Sequence, residues 1–378
     1  MTSKIVRQKV RPIIARKPIG LALQGGGSWG AYTWGVLDAI LGSRSLAIAQ
    51  LSGTSAGAIN AAIVASALAK GSPTEARKSL RSFWMSMAAP AHAELARKLW
   101  GPAGRTLRDS FGAWLLSSGA LSPYSVNPLG MNPLRDAIAA HVDIDAIRGK
   151  SAPALFVTVT NVKTGLPRVI ANDAMSVDAL LASACLPELF QAVELDGEPY
   201  WDGGYCGNPT LWPMIHSGIT QDLVVVQLAP EVAADVPNDA PSIRRRIGEI
   251  VFNSSLVAEM QSISAMRALA ERNGDSSNIA FVRMHRIGPP RDELFAQGTS
   301  HERSRAWLEL LQEEGRAEAR RFITVHGDDI GVRETLDIAK AFADSRKPKI
   351  RVTAKSDVAA ANDSARVASA QAARSAAS

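Results

Sequence analysis

The sequence predicts an α/β protein built on a largely parallel sheet. Two observations carry that prediction. From Ile19 onward the order apolar strand, glycine-rich turn, apolar helix occurs twice before residue 70. Beyond residue 150, short runs rich in Val, Ile and Leu are interleaved with longer helical patterns. The composition, 46% hydrophobic and 21% charged over 378 residues, is that of an ordinary globular chain long enough for one large domain or two.

In chain order, residues 1–18 form a basic arm with no sustained apolar stretch. "IGLAL" (19–23) is the first strand, "GGGSWG" (25–30) the first turn, and a helix follows near 30–42. "IAQLS" (48–52) is the second strand, and after "GTSAG" comes a helix over 57–69. Residues 80–130 differ in character. They set Trp84, Trp100, Phe111 and Trp114 among Met, Leu and Gly, which suits either a lid over acyl chains or a second small core. Later strands are expected at "LFVTVT" (155–160), "QAVEL" (191–195), "LVVVQL" (223–228) and "IAFVRM" (279–284). Helical patterns fill 241–272 and 301–344. The end, 345–378, is an Ala/Ser-rich basic tail without apolar periodicity, read as disordered.

Charge is unevenly distributed. The net charge is +6, but residues 1–19 and 345–378 together carry +11, leaving −5 on residues 20–344. Basic ends of this kind are either solvated or dock on an anionic surface, a membrane or a granule; no nucleic-acid partner is expected. No apolar run reaches the roughly 18 residues that span a bilayer. The basic start lacks a secretory h-region, and with only Cys185 and Cys206 the chain reads as cytoplasmic.

Two glycine loops carry the candidate chemistry. The first matches G-x-G-x-x-G, yet no Asp or Glu lies between Asp38 and Glu75 to hold a ribose, so a dinucleotide site fails its own requirement. Successive small residues at a helix start also leave backbone N–H groups open to an anion, which makes Gly25, Gly26 and Gly27 candidates for an oxyanion hole. In the second loop Gly53-Thr54-Ser55-Ala56-Gly57 fits G-x-S-x-G, where small neighbours allow a sharp strand-to-helix turn exposing the serine. A structural reading stays open: Ser55 as a plain helix N-cap.

A nucleophilic serine needs a base. His216, His285, His301 and His326 each give the Ser-Asp-His order of an α/β-hydrolase. The strongest acidic candidate is Asp202 in "YWDGGYCGNP", with Gly203 and Gly204 behind it. It is either a turn corner or a carboxylate carried to a sheet end by "GEPYW". A carboxylate serves as a base near neutral pH only if burial raises its pKa.

Taken together, "LALQGGGSWGAYTWGVL", "LSGTSAGAINAA" and "ASACLPELFQAVELDGEPYWDGGYCGNP" resemble the patatin-like phospholipase family over about residues 19–210, with 211–344 resembling the C-terminal extension of a bacterial subgroup. The resemblance implies a three-layer α/β/α sandwich around a mostly parallel sheet, with the helical extension packed on it. It further implies a Ser55–Asp202 dyad without a catalytic histidine, an oxyanion hole at Gly25–Gly27, and no metal or cofactor. The implied activity is cleavage of acyl esters of phospholipids or neutral lipids. One position departs from the pattern: Trp29 stands where many members carry Lys or Arg, which favours a neutral ester or acylated polymer. Two other readings remain, a His-dependent esterase and a non-catalytic lipid- or granule-binding protein.

Overall fold

The computed structural model describes residues 16–89, 122–229, 236–274, 278–289, 293–296 and 299–342. The described residues up to Ala341 form one compact unit. Its strands are β1 (Lys17–Leu23), β2 (Leu46–Gly53), β3 (Ala154–Asn161), β4 (Pro167–Ile170), β5 (Val193–Leu195), β6 (Glu198–Asp202), β7 (Asp222–Val226) and β8 (Arg283–Ile287). They make a single sheet in which hydrogen-bonded pairing links β5-β6-β3-β2-β1-β7-β8 in that succession, with β4 also paired to β3. The run from β3 through β8 is parallel, and β4, β5 and β6 are antiparallel. All five residues of β7 and the last five of β1 are buried, as a sheet covered on both faces requires.

The α-helices of five or more residues are α1 (Gly30–Gly42), α2 (Ala56–Ala69), α3 (Pro73–Ser86), α4 (Pro133–His141), α5 (Ile144–Arg148), α6 (Val177–Ser183), α7 (Trp212–Ser217), α8 (Ala240–Asn273) and α9 (Arg305–His326). They flank the mixed sheet in the manner of an α/β/α fold. Helix α2 has no polar face: Ala56 to Ala67 are all buried, so its sequence reads as apolar around the whole circumference. Helix α9 is amphipathic and buries Trp307, Leu308, Leu311, Gly315, Ala319 and Phe322. It crosses α1 at backbone contact. A Cβ on Gly35 would sit 2.0 Å from the Gln312 carbonyl oxygen, and one on Gly315 would sit 2.0 Å from that of Tyr32. Asp38 of α1 lies between the flanking helices, 2.7 Å from Arg77 Nε of α3 and 3.2 Å from Arg316 Nε of α9.

Several elements differ from the sequence expectation. Residues 278–281 form a helical turn, and the strand expected at 279–284 begins at Arg283. Pairing fixes that start, because the Arg283 guanidinium grips Asp222 at the head of β7 with contacts of 2.9 and 2.7 Å. The helix expected over 301–344 starts after Ser304, whose hydroxyl caps the Trp307 N–H, and ends at His326. Lys17 Nζ donates to the carbonyls of Gly327 and Asp328 just beyond that end. β4 has no counterpart among the expected strands. β7 and β8, although beyond residue 210, continue the sheet directly from β1.

Within the 80–130 segment, α3 runs through Ser86 and its Trp84 is buried, donating to Asn60 Oδ1 at 2.9 Å. Trp100, Phe111 and Trp114 lie outside the described residues, as do all but the last three residues of the 1–18 arm and the whole 345–378 tail. No helix among the described residues is long and apolar enough to cross a membrane.

One detail of register positions the site. Val157 of β3 pairs with Gly53 of β2 on one edge and Ile170 of β4 on the other. Val159, two residues on, pairs with Arg168 of β4 and Asp202 of β6. β6 therefore lies on the same edge of β3 as β2, beyond its end and running toward it. The two strands meet tip to tip.

Candidate active site

At the tip of β2 the chain turns sharply. Ser55 has φ 55° and ψ −126°, a left-handed conformation that is strained for a residue with a Cβ, and α2 begins at the next residue. The turn is possible because Gly57 passes against β1: a Cβ there would lie 2.2 Å from the Leu23 carbonyl oxygen. The Ser55 hydroxyl makes no capping hydrogen bond to α2, so the helix-cap reading does not describe it. Its backbone N–H donates to Ser183 Oγ at 3.0 Å, and Ser183 Oγ donates in turn to the Thr158 carbonyl at 2.8 Å. Ser183, on the last turn of α6, thereby ties the elbow to β3.

Asp202 occupies the tip of β6 and is fully buried. Its N–H donates to the Cys185 carbonyl at 2.8 Å, and its Oδ1 accepts the Gly204 N–H at 2.8 Å. Oδ2 is buried without a hydrogen-bond partner. Desolvation pushes the carboxyl pKa up to about 7, opposed by the Gly204 N–H and by the Ser55 side chain that faces it. The pair Gly203-Gly204 has a steric cause: a Cβ on Gly203 would lie 2.1 Å from the Thr158 carbonyl oxygen. Beside this carboxylate the Cys185 thiol is pushed up to about 12, first by burial and then by Asp202. Both cysteines are free thiols.

The first glycine loop closes over the same point. A Cβ on Gly25 would lie 2.7 Å from that of Ser55. The Gly25 N–H is committed to Asn208 Oδ1 at 2.6 Å, and the Ser28 N–H to the Ser300 carbonyl at 2.8 Å. Between them, the N–H groups of Gly26 and Gly27 have no partner among the described residues. Gln24 braces the loop from below. Its Oε1 accepts from Leu228 and Ala229, and its Nε2 donates to Asn253 Oδ1 of α8.

This stretch of chain, from the first strand to just past the Asp202 loop, is also where the chain matches a known family. The model of the patatin-like phospholipase family matches residues 21–215. The chain belongs to the patatin-like phospholipase family. Members of this family are lipid acyl hydrolases, and lipids are their substrates. Among solved structures, the chain is similar to the crystal structure of VipD from Legionella pneumophila, at 15% identity and a TM-score of 0.41 over 83% of this chain and 68% of that one. It is also similar to the type III effector protein ExoU, at 17% identity and a TM-score of 0.33 over 82% of this chain. It spans about half, 54%, of the ExoU chain. No curated protein sequence matches it.

Within the patatin-like frame the remaining candidates fall into place or away from the site. Trp29 is buried, its ring 4.8 Å from that of Phe295 in a tilted stack, so it belongs to the core under the loop. None of the described histidines hydrogen-bonds to Ser55. His285 is held by Asp222 and Thr335 at the opposite end of the strands, His216 by the Trp212 carbonyl, and His326 by Asp329. His301 follows Ser300, whose carbonyl abuts Gly27, and it makes no hydrogen bond to the serine. Burial lowers its pKa. Among the described residues no group of three or more His, Cys, Asp or Glu is placed to hold a metal ion. Sequence reasoning does not single out Ser183, Asn208 or Gln24, although all three lie within the blocks that carry the family resemblance.

Proposed function

We propose that this patatin-like protein hydrolyses carboxylic ester bonds of lipids through a two-residue centre, with Ser55 as nucleophile and Asp202 as base. The observation that carries the reading is a strained serine on a strand tip facing a buried carboxylate that has one unpartnered oxygen. Asp202 Oδ2 takes the proton from Ser55 Oγ, and that oxygen attacks the ester carbonyl carbon. The negative charge that develops on the carbonyl oxygen is met by the N–H groups of Gly26 and Gly27. Each such donor contributes about 3 kcal/mol to transition-state stability in well-measured enzymes. Gly25 orients the loop through Asn208 and donates nothing to the oxyanion. The C–O bond to the alcohol breaks, and the proton on Asp202 passes to the leaving oxygen. Asp202 then deprotonates a water that attacks the acyl-Ser55 ester, releasing the fatty acid and restoring the serine. With Trp29 turned into the core, the loop offers no side-chain cation to a phosphate there, which supports neutral esters alongside phospholipids as substrates.

The test is the intact mass of the protein after exposure to a fluorophosphonate. A single adduct on the wild type, absent from Ser55→Ala and from Asp202→Asn, is the expected result. Adduct formation that survives Ser55→Ala overturns the assignment. Replacing His216, His285, His301 or His326 singly is expected to leave ester turnover in place; loss of turnover in any stably folded one of them favours a His-dependent mechanism instead.

A further inference from the structure

Helix α8 is longer than the sheet it covers. Arg267, near its end, donates to the Val282 carbonyl immediately before β8 starts, at the edge of the sheet away from Ser55. Phe252 and Asn253 lie at the other edge. The Phe252 ring abuts Gly204, and Asn253 bonds Gln24 and the Ala229 carbonyl. Between Asn253 and Arg267 the helix thus rises about 21 Å at 1.5 Å per residue. Twelve further residues of the helix precede Phe252. At 1.5 Å per residue they carry the helix roughly 18 Å further along its axis, on the side of Phe252 away from Arg267.

This stretch has an ordered surface. Ile243, Ile247 and Ile250, at i, i+4 and i+7, form one stripe and are 41, 55 and 53% exposed. Arg244, about 100° from the stripe by helical angle, is exposed beside it, with Arg245 behind and also exposed; Arg246, on the other side, is largely buried against Glu249. Glu249 pairs with Arg246 and, more loosely, Arg245, so the segment Ile243–Ile250 stays net positive. The loop after Cys185, whose carbonyl accepts the Asp202 N–H, and the chain bonded to it expose Leu189, Leu129 and Met131. An exposed apolar stripe with exposed arginines beside it is the pattern of a helix lying in a lipid interface. The apolar side chains enter the acyl boundary while the guanidinium groups meet anionic headgroups.

We propose that the N-terminal arm of α8, residues 240–250, docks on the surface of an anionic phospholipid bilayer and holds the mouth of the site against it. The occupant is argued from the charge of the arm and from its continuity with a site that takes lipid, so the inference rests on the function proposed above. Docking there would spare a lipid the full transfer through water, since the acyl chain would pass from the bilayer to Ser55 along the arm.

The experiment is flotation of the full chain, in the Ser55→Ala background, with vesicles of phosphatidylcholine alone or with added phosphatidylserine. The expected result is binding to the anionic vesicles. Ile243→Asp/Ile247→Asp should weaken that binding about tenfold or more. In the otherwise wild-type protein the same pair should leave hydrolysis of a soluble short-chain ester unchanged, which also reports that the fold survives. Arg244→Glu serves as a second, milder variant and should weaken binding to anionic vesicles alone. Unchanged flotation of the isoleucine variant overturns the proposal and transfers the binding to the basic ends of the chain. Absence of vesicle binding by the parent overturns it outright. So does a dimer in solution that the isoleucine substitutions dissociate while flotation persists, because the stripe would then face a second copy. Lack of soluble-ester turnover in the wild type, with flotation as expected, would remove the enzymatic reading and leave the docking surface standing.

Discussion

Moving Asp202 from water into the interior disfavours its charged form, and the pH behaviour of the site is set by that. With the carboxyl raised to about 7, kcat/KM on a soluble ester should climb as pH rises through about 7 and level off above it, measured as initial rates across the profile. A carboxyl whose folded pKa exceeds its unfolded value is stabilising to the fold only while protonated; that contribution is complete below the unfolded pKa and lost as pH rises through the folded one. Asp202→Asn should therefore melt higher than wild type at pH 8 by a few kcal/mol of stability, the advantage shrinking as pH falls from about 7 toward 4. Ser183→Ala makes a different prediction. It strips a hydrogen bond from the Ser55 N–H and from the Thr158 carbonyl, both buried, so it should lose about 1–3 kcal/mol of stability and slow turnover through misplacement of the nucleophile. Thermal melting and kcat on the same preparation check both. Ser55, Asp202 and their glycines are legible in the sequence because their demands are local: a sharp turn or a close backbone pass needs glycine beside the residue it serves. Ser183 and Asn208 are not, since what they hold lies 128 and 183 residues away along the chain.

Among the elements, the α1–α9 crossing is the contact least tolerant of change. Gly35 and Gly315 let two backbones touch, and there is no side chain between them to move aside. Gly315→Val should push α9 off α1 and destabilise the protein by several kcal/mol, read as a drop in the denaturant midpoint. Because α9 carries no residue of the site, the fluorophosphonate adduct should still form on whatever fraction stays folded. Strand and helix identities in the first seventy residues are legible because glycine turns punctuate them. The expected start of β8 falls a few residues early, since "IAFVRM" alternates as a strand would, and only the grip of Arg283 on Asp222 settles where pairing begins. β4 has too few apolar residues to announce itself; it exists because the upper part of β3 has an edge to fill.

For the whole molecule, the three blocks that make up the site stand far apart in sequence and are gathered at one edge of one sheet. That edge is inferable from the repeated strand–turn–helix order, since parallel strands bring their following loops to a common end. The antiparallel return of β6 and the seating of α8 against Gly204 and Gln24 are not inferable, because both depend on which element ends up beside which. The tip-to-tip meeting of β2 and β6 makes β3 a splint on which nucleophile and base are spliced, Gly53 set against Val157 and Asp202 against Val159. A splint tolerates changes of surface and fails on changes of length. One residue inserted between Val157 and Val159 would part the two tips by about 3.3 Å and flip the rest of β3 to the other face. In a library of the coding sequence, β3 should accept conservative substitutions and reject in-frame insertions and deletions as completely as it would the loss of Ser55 itself.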